Sequence, residues 1–194
     1  MELLDPLNFY LSAEKYLMNP ALEKDFESTM RGEVQKYLDL AVKYGETGMY
    51  EDGIEILKKA SQNANSLVSQ NPLIYYYLGY FYERLGEKDA GIYNYEKGSS
   101  LPIDYCFPFR IYTEKVLQAF LDVNSKDAKA LYYLGNLWYD HQPKLAMELW
   151  GKAVEIQPDF AMAQRNLAFG FEHTNKNEKE ALVHIEEALK VEKS

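Results

Sequence analysis

The 194-residue chain contains one cysteine, Cys106, and three histidines, and its 21 Lys and Arg are outnumbered by 30 Asp and Glu. A single cysteine has no partner for an intrachain disulfide and points to a reducing compartment; it also removes zinc sites built on several thiolates. The formal charge of −9 speaks against a phosphate-binding surface, because nucleic-acid affinity rests on Lys and Arg neutralising phosphates. The same charge speaks against docking on an anionic membrane. No apolar run approaches the ~20 residues that span a bilayer. The start, MELLDPLNFYLSAEK, lacks both a basic leader and an uninterrupted apolar stretch, so it does not read as a signal peptide. The expectation is a cytoplasmic chain, with neither nucleic acid nor membrane among its partners.

Catalytic signals are equally sparse. His141, His173 and His184 have no metal-ligand spacing of the H-E-x-x-H kind, and they read as solvated or capping residues. Cys106 lies between aromatics in DYCFPF, with no basic residue nearer than Arg110, which fits a buried, inert thiol better than an activated nucleophile. The glycines are scattered and form no phosphate-cradling loop. The carboxylates read as wet helix faces, among which no general acid/base pair stands out. No enzyme, no cofactor and no metal site is expected.

What the chain does hold is aromatic and repetitive: 17 Tyr, 9 Phe and 2 Trp. In LYYLGNLWYD, Leu131, Leu134 and Trp138 recur at the spacing of one helix face. Gly135 sits within that helix, where it costs ~1 kcal/mol relative to Ala. The same spacing returns at Tyr37, Leu40, Ala41 and Tyr44, at Tyr75, Leu78, Gly79 and Tyr82, and at Gln164, Leu167, Ala168 and Phe171. Each helix is followed by a turn and a second pattern of small, large and small residues: Gly53, Leu57, Ala60; Gly91, Tyr95, Gly98; Ala146, Trp150, Ala153; Ala181, Ile185, Ala188. From the last aromatic of the first helix to the first small residue of the second is nine, nine, eight and ten residues. Pro102 and Pro158 close two of these units.

These residues resemble the tetratricopeptide repeat, W-x2-L-G-x2-Y then A-x3-F then P. The resemblance implies an all-α fold, a right-handed α-solenoid of helix–turn–helix hairpins with a degenerate middle repeat, in which stacking buries faces that one hairpin leaves open. The expected organisation is a single helical domain over 1–194, with an N-terminal extension over 1–30. Repeats follow at 31–65, 72–102, 127–158 and 159–192, with an irregular one at 103–126. Asp5 and Pro6 read as cap and first turn of a helix reaching Met18, and Asn19-Pro20 breaks it. LPIDYCFPFR reads as extended or turn structure, and residues 111–123 as an amphipathic helix with Leu117, Phe120 and Leu121 inward. Trp138 and Leu131 are placed in the packing layer. The finish just after Ala188, without a polar capping helix, reads as that of a piece of something longer.

LDPLNFYL, YLDLAVKYGETGMYEDGIEIL, PLIYYYLGYFYERLG, DYCFPFR and LYYLGNLWYD, in that order, look like the repeat region of large bacterial multidomain proteins that also carry a β-rich, mutarotase-like domain. Nothing in this chain reads as that β-rich domain. The resemblance implies a non-enzymatic protein–protein interaction scaffold, holding a partner or an adjoining domain of the same parent chain. The other readings are a free-standing peptide-binding adaptor and a carbohydrate-associated binding module.

In a tetratricopeptide array the first helix of each unit lines the concave groove. That places Tyr132, Asn136 and Asp140 on one stripe, with Tyr139 at its edge. The equivalents are Tyr76, Tyr80 and Arg84 in one neighbouring unit and Arg165, Phe169 and His173 in another, with Leu38 and Val42 in the first. The expected binding groove is therefore Tyr76, Tyr80, Arg84, Tyr132, Asn136, Tyr139, Arg165 and Phe169. Aromatic anchors with amide and guanidinium handles suit a peptide or helix. Tyrosines that merely fill a narrow groove, or pack on the N-terminal helix, suit the same pattern. Asn136 and Asn166 match the two asparagines of tetratricopeptide domains that clamp chaperone carboxylate tails, but Tyr132 and Met162 stand at the lysine places. No clamp of that kind is expected.

Overall fold

The computed structural model describes residues 8–191, and every regular element among them is helical. They form two compact units, one ending at Cys106 and the other beginning at Phe107.

The first unit starts with α1 (Asn8–Met18). The expected Asp5–Pro6 start lies outside the described residues. The break at Asn19-Pro20 is a 3-10 turn, Pro20–Leu22, whose first amides are capped by the Asn19 side chain. Helix α2 (Glu23–Met30) follows directly. Helix α1 packs through Tyr16, which stacks on Phe26 of α2 at 5.0 Å. The Tyr16 hydroxyl donates to Glu55 (2.8 Å), while Tyr44 donates to Glu14 of α1 (2.9 Å). The N-terminal helix is thus tied to the first hairpin.

That hairpin is α3 (Val34–Thr47) and α4 (Tyr50–Ser61), with Tyr37, Leu40, Ala41, Ile56 and Leu57 almost fully buried. A four-residue helix, α5 (Ser66–Ser69), follows under an Asn65 cap; the sequence reading had no element there. The second hairpin is α6 (Pro72–Arg84) and α7 (Lys88–Ser100). Asn71 caps α6, accepting from the Leu73 amide, and Pro72 fills the first position, where no amide partner is needed. Gly48 and Gly86 stand at φ +75° and +83°, each four residues beyond the aromatic that ends its repeat pattern, Tyr44 and Tyr82. The equal spacing of nine thus reflects one turn geometry used twice.

Small residues set the closeness of α6 and α7. A Cβ on Gly98 would lie 3.1 Å from the Pro72 carbonyl oxygen, and one on Gly91 3.2 Å from that of Gly79. A Cβ on Gly79 would overlap the Tyr95 ring.

Between α7 and the next helix no regular element forms, as LPIDYCFPFR predicts. Cys106 is buried, with its Sγ 3.8 Å from Asn71 Oδ1. The second unit contains α8 (Tyr112–Val123), with Leu117, Phe120 and Leu121 inward. Its two hairpins are α9 (Ala128–Trp138) with α10 (Pro143–Ile156), and α11 (Ala161–His173) with α12 (Glu178–Val191). Asp127 caps α9 through the Ala130 amide at 2.7 Å. Neither turn contains glycine; the longer one, with ten-residue spacing, places Lys176 at φ +54°. Ala146, Trp150 and Ala153 are buried, whereas Ala181 and Ile185 are only half-buried. Trp138, expected in the packing layer, is also half-buried; Leu137 takes the inward place beside Leu134.

The all-α class and the succession of helical hairpins therefore hold among the described residues. None of the helices among the described residues is long and apolar enough to cross a membrane.

Candidate functional site

The site begins with Gly135. A Cβ there would overlap the Trp150 indole, so glycine lets the ring of α10 slide against the backbone of α9. The indole N–H consequently reaches two acceptors, Asn136 Oδ1 at 3.1 Å and the Tyr132 carbonyl at 3.3 Å. Asn166, on α11, donates its amide to the same Asn136 Oδ1 at 2.7 Å.

This chain of contacts fixes both amides. An indole nitrogen only donates, so Asn136 must turn its oxygen toward Trp150 and its NH2 away. Asn166 must then give its NH2 to that oxygen and leave its own oxygen outward. Neither amide proton of Asn136, nor Asn166 Oδ1, has a partner among the described residues. The pair presents donors and an acceptor side by side, which is the complement of a peptide backbone.

Around this pair lies a cleft of about 330 Å³ within the second unit, lined by Phe107, Pro108, Tyr132, Asn136, Tyr139, Asp140, Trp150, Met162, Asn166 and Phe169. Tyr139 stacks on Trp150 at 5.1 Å and meets Phe169 at 5.6 Å, and its hydroxyl lies 3.3 Å from that of Thr174. Phe169 and Phe107 are 49 % and 69 % exposed. On the other side of Phe169 a second hollow of about 410 Å³ holds Arg165, Glu172, Glu178, Leu182 and Ile185. Of the expected groove residues, Tyr132, Asn136, Tyr139 and Phe169 line the cleft, and Arg165 lines the neighbouring hollow.

Two tyrosines depart from the expectation of open groove faces. Tyr132 is 4 % exposed, because its ring packs at 5.0 Å on Phe160, which precedes α11. Tyr76 is fully buried: α6 and α7 close on each other at Gly98, where a Cβ would lie 3.4 Å from Tyr76 Cγ. Both act as wall rather than as contact surface, and Leu38 is likewise buried. Tyr80 and Arg84 converge on Tyr50 in the first unit, the guanidinium 5.9 Å above that ring and the Tyr80 ring edge-on at 6.4 Å.

Phe107, Pro108, Met162 and Trp150 also line the cleft, although their sequence pattern does not mark them as groove residues. Phe107 and Pro108 come from the non-helical stretch, whose signal was large apolar residues in a segment without helical period. Trp150 stands in the sequence pattern only as the large residue between Ala146 and Ala153.

The histidines differ from one another. His141 is exposed, and the His173 ring stacks on Phe169 at 4.0 Å with Nδ1 3.1 Å from the Phe169 carbonyl. His184 is not simply solvated. It is half-buried, stacks on Phe171 at 5.3 Å and lies 2.7 Å from Gln164 Oε1. Gln164 uses its NH2 on the Pro158 carbonyl (3.1 Å), so His184 donates through Nδ1–H. Burial pushes its pKa below the usual histidine value, against the opposing pull of Glu180 and Glu187. No group of three or more His, Cys, Asp or Glu side chains among the described residues is placed to hold a metal ion.

No protein-family model and no curated protein matches this chain. Among solved structures, it is similar to a crystal structure of MamA at 23 % identity, covering 100 % of this chain and 96 % of that one with a TM-score of 0.42. A MamA fragment from Desulfovibrio magneticus RS-1 gives 21 % identity, 82 % and 95 % coverage and a TM-score of 0.40. YrrB, described as a TPR protein with an unusual peptide-binding site, gives 16 % identity, 98 % and 84 % coverage and a TM-score of 0.42.

Proposed function

We propose that this chain is a non-enzymatic protein–protein interaction scaffold that holds an extended segment of a partner in the cleft between α9 and α11. The observation that carries this reading is the Asn136–Asn166 pair, oriented by the Trp150 indole and left with outward donors and an outward acceptor. Pre-oriented amides lose little entropy on binding and read backbone rather than one side chain. The aromatic walls, Tyr139 and Phe169, supply apolar contact beside them.

Two finer points go with it. The order of the LDPLNFYL, DYCFPFR and LYYLGNLWYD segments supports a place in a larger bacterial protein, with an adjoining domain as one source of the bound segment. The excess of acidic residues and the absence of any long apolar helix among the described residues fit a soluble, cytoplasmic setting.

The test is an array of unstructured 12-residue peptides probed with the full chain. Expected is saturable binding of a subset, weakened at least about tenfold, or ~1.4 kcal/mol, by Asn136→Ala and by Asn166→Ala. Gly151→Ala, outside the cleft, serves as control. Binding that ignores both asparagine substitutions would overturn the reading.

A further inference from the structure

The cleft carries one charge. Asp140 is the one residue of the Asp, Glu, Lys, Arg or His type among its lining residues, and its exposed carboxylate has no hydrogen bond or ion pair among the described residues. It shares the cleft with the exposed faces of Phe107 and Phe169. Arg165, the nearest cation along α11, lines the other hollow, with Glu172 and Glu178.

We infer that the bound segment carries an arginine or lysine, whose cationic head lies against the Phe107 and Phe169 faces and is neutralised by Asp140, while Asn136 and Asn166 hold its backbone. The inference deepens the peptide-binding reading and rests on it. An aromatic face attracts a cation through its quadrupole, more strongly where water is partly displaced. A carboxylate at the same place adds charge complementarity and sets specificity more than raw affinity. A neutral apolar occupant would cover the aromatic faces but leave Asp140 partly desolvated without a counter-charge, which is unfavourable. An acidic occupant would meet Asp140 head-on, in a chain already at −9. The complementary partner is thus a basic, extended segment.

The probe is one array-selected peptide, made with Arg, Lys, Gln, Leu or Glu at each position in turn, and titrated against the full chain by fluorescence anisotropy. At one position Arg and Lys are expected to bind about tenfold tighter than Gln and tighter still than Glu, with the advantage shrinking from 50 to 300 mM salt. Asp140→Asn should bring the Arg-to-Gln ratio close to one, and Phe169→Leu should weaken the Arg peptide more than the Leu peptide. Circular dichroism confirms that each variant is folded. If Leu or Glu peptides bind as well as Arg peptides and still require Asn136, the basic preference is wrong and the peptide cleft stands. If the unaltered chain binds no peptide, or takes up only soluble oligosaccharide or a second copy of itself, both readings fall together.

Discussion

Trp150 on α10 donates its indole N–H to Asn136 on α9 at 3.1 Å, and Gly135, the residue before Asn136, makes that approach possible. One crossing point between two helices therefore serves both packing and recognition. The cost of glycine within a helix is offset by an aromatic side chain that packs the hairpin and orients an amide.

Trp150→Phe keeps an aromatic ring in place and removes the N–H. Asn136 then loses the contact that fixes its orientation. The expected loss of stability is about 1–2 kcal/mol, from one indole donor shared between the Asn136 and Tyr132 oxygens and from a smaller ring. Chemical denaturation measures this. In amide-detected NMR the Asn136 side-chain signals should broaden or shift, whereas those of Asn94, which donates to the Ala90 carbonyl in the other unit, should not.

Two glycine substitutions should move stability in opposite directions. Gly135→Ala drives a methyl group into the indole and should cost about 1–3 kcal/mol. Gly151 lies within α10 with open space where a Cβ would be, so Gly151→Ala should stabilise by up to ~1 kcal/mol. Thermal melts of the two variants decide the matter. Equal effects would mean that helix propensity, not the Trp150 contact, governs Gly135.

This contrast also marks what was legible in the sequence. The hairpins could be read because Gly79 and Gly135 stand at the same place in the pattern of their first helices, and Tyr95 and Trp150 at the same place in that of their second, and spacing within an element is what a helix preserves. The aim of individual groove residues could not be read as well. A position one step off the packing face can look into the groove or into the layer between neighbouring helices. For Tyr132 the choice was made by Phe160, whose approach depends on how α11 is docked. For Tyr76 it was made by the closeness of α6 and α7 at Gly98. Phe107 and Pro108 were legible only as lying outside a helix, since no periodicity predicts where such a segment packs.

The half-buried position of His184 gives a pH dependence. Its pKa is lowered in the folded chain, so the unfolded chain binds more protons between the folded value and the ordinary 6.5. The corresponding stability is complete above pH 6.5 and is lost as pH falls toward the folded value. Urea midpoints should therefore drop below pH 6.5 more steeply in the unaltered chain than in His184→Gln. An NMR titration should place His184 below the ordinary histidine value of 6.5.

Tyr16 gives the opposite sign at the alkaline end. Burial, then its hydrogen bond to Glu55, raises its pKa from 10.0 to about 12. Its contribution is complete below pH 10 and fades as pH rises from 10 to about 12. Tyr16→Phe removes this part of the alkaline loss, although other buried tyrosines, Tyr44 among them, are raised as well. Difference spectra near 295 nm follow the ionisation directly. Early ionisation of Tyr16, near pH 10 in the folded chain, would contradict the assignment.

Cys106 is the only thiol of the chain, buried at 1 % exposure beside Asn71, the residue that caps α6. A thiol reagent can reach it only when the end of the first unit opens. The rate of modification, compared with that of a free thiol, converts into the free energy of that opening. The chain thus contains a native single-site reporter of local unfolding, which reads the integrity of the first unit without any label being introduced.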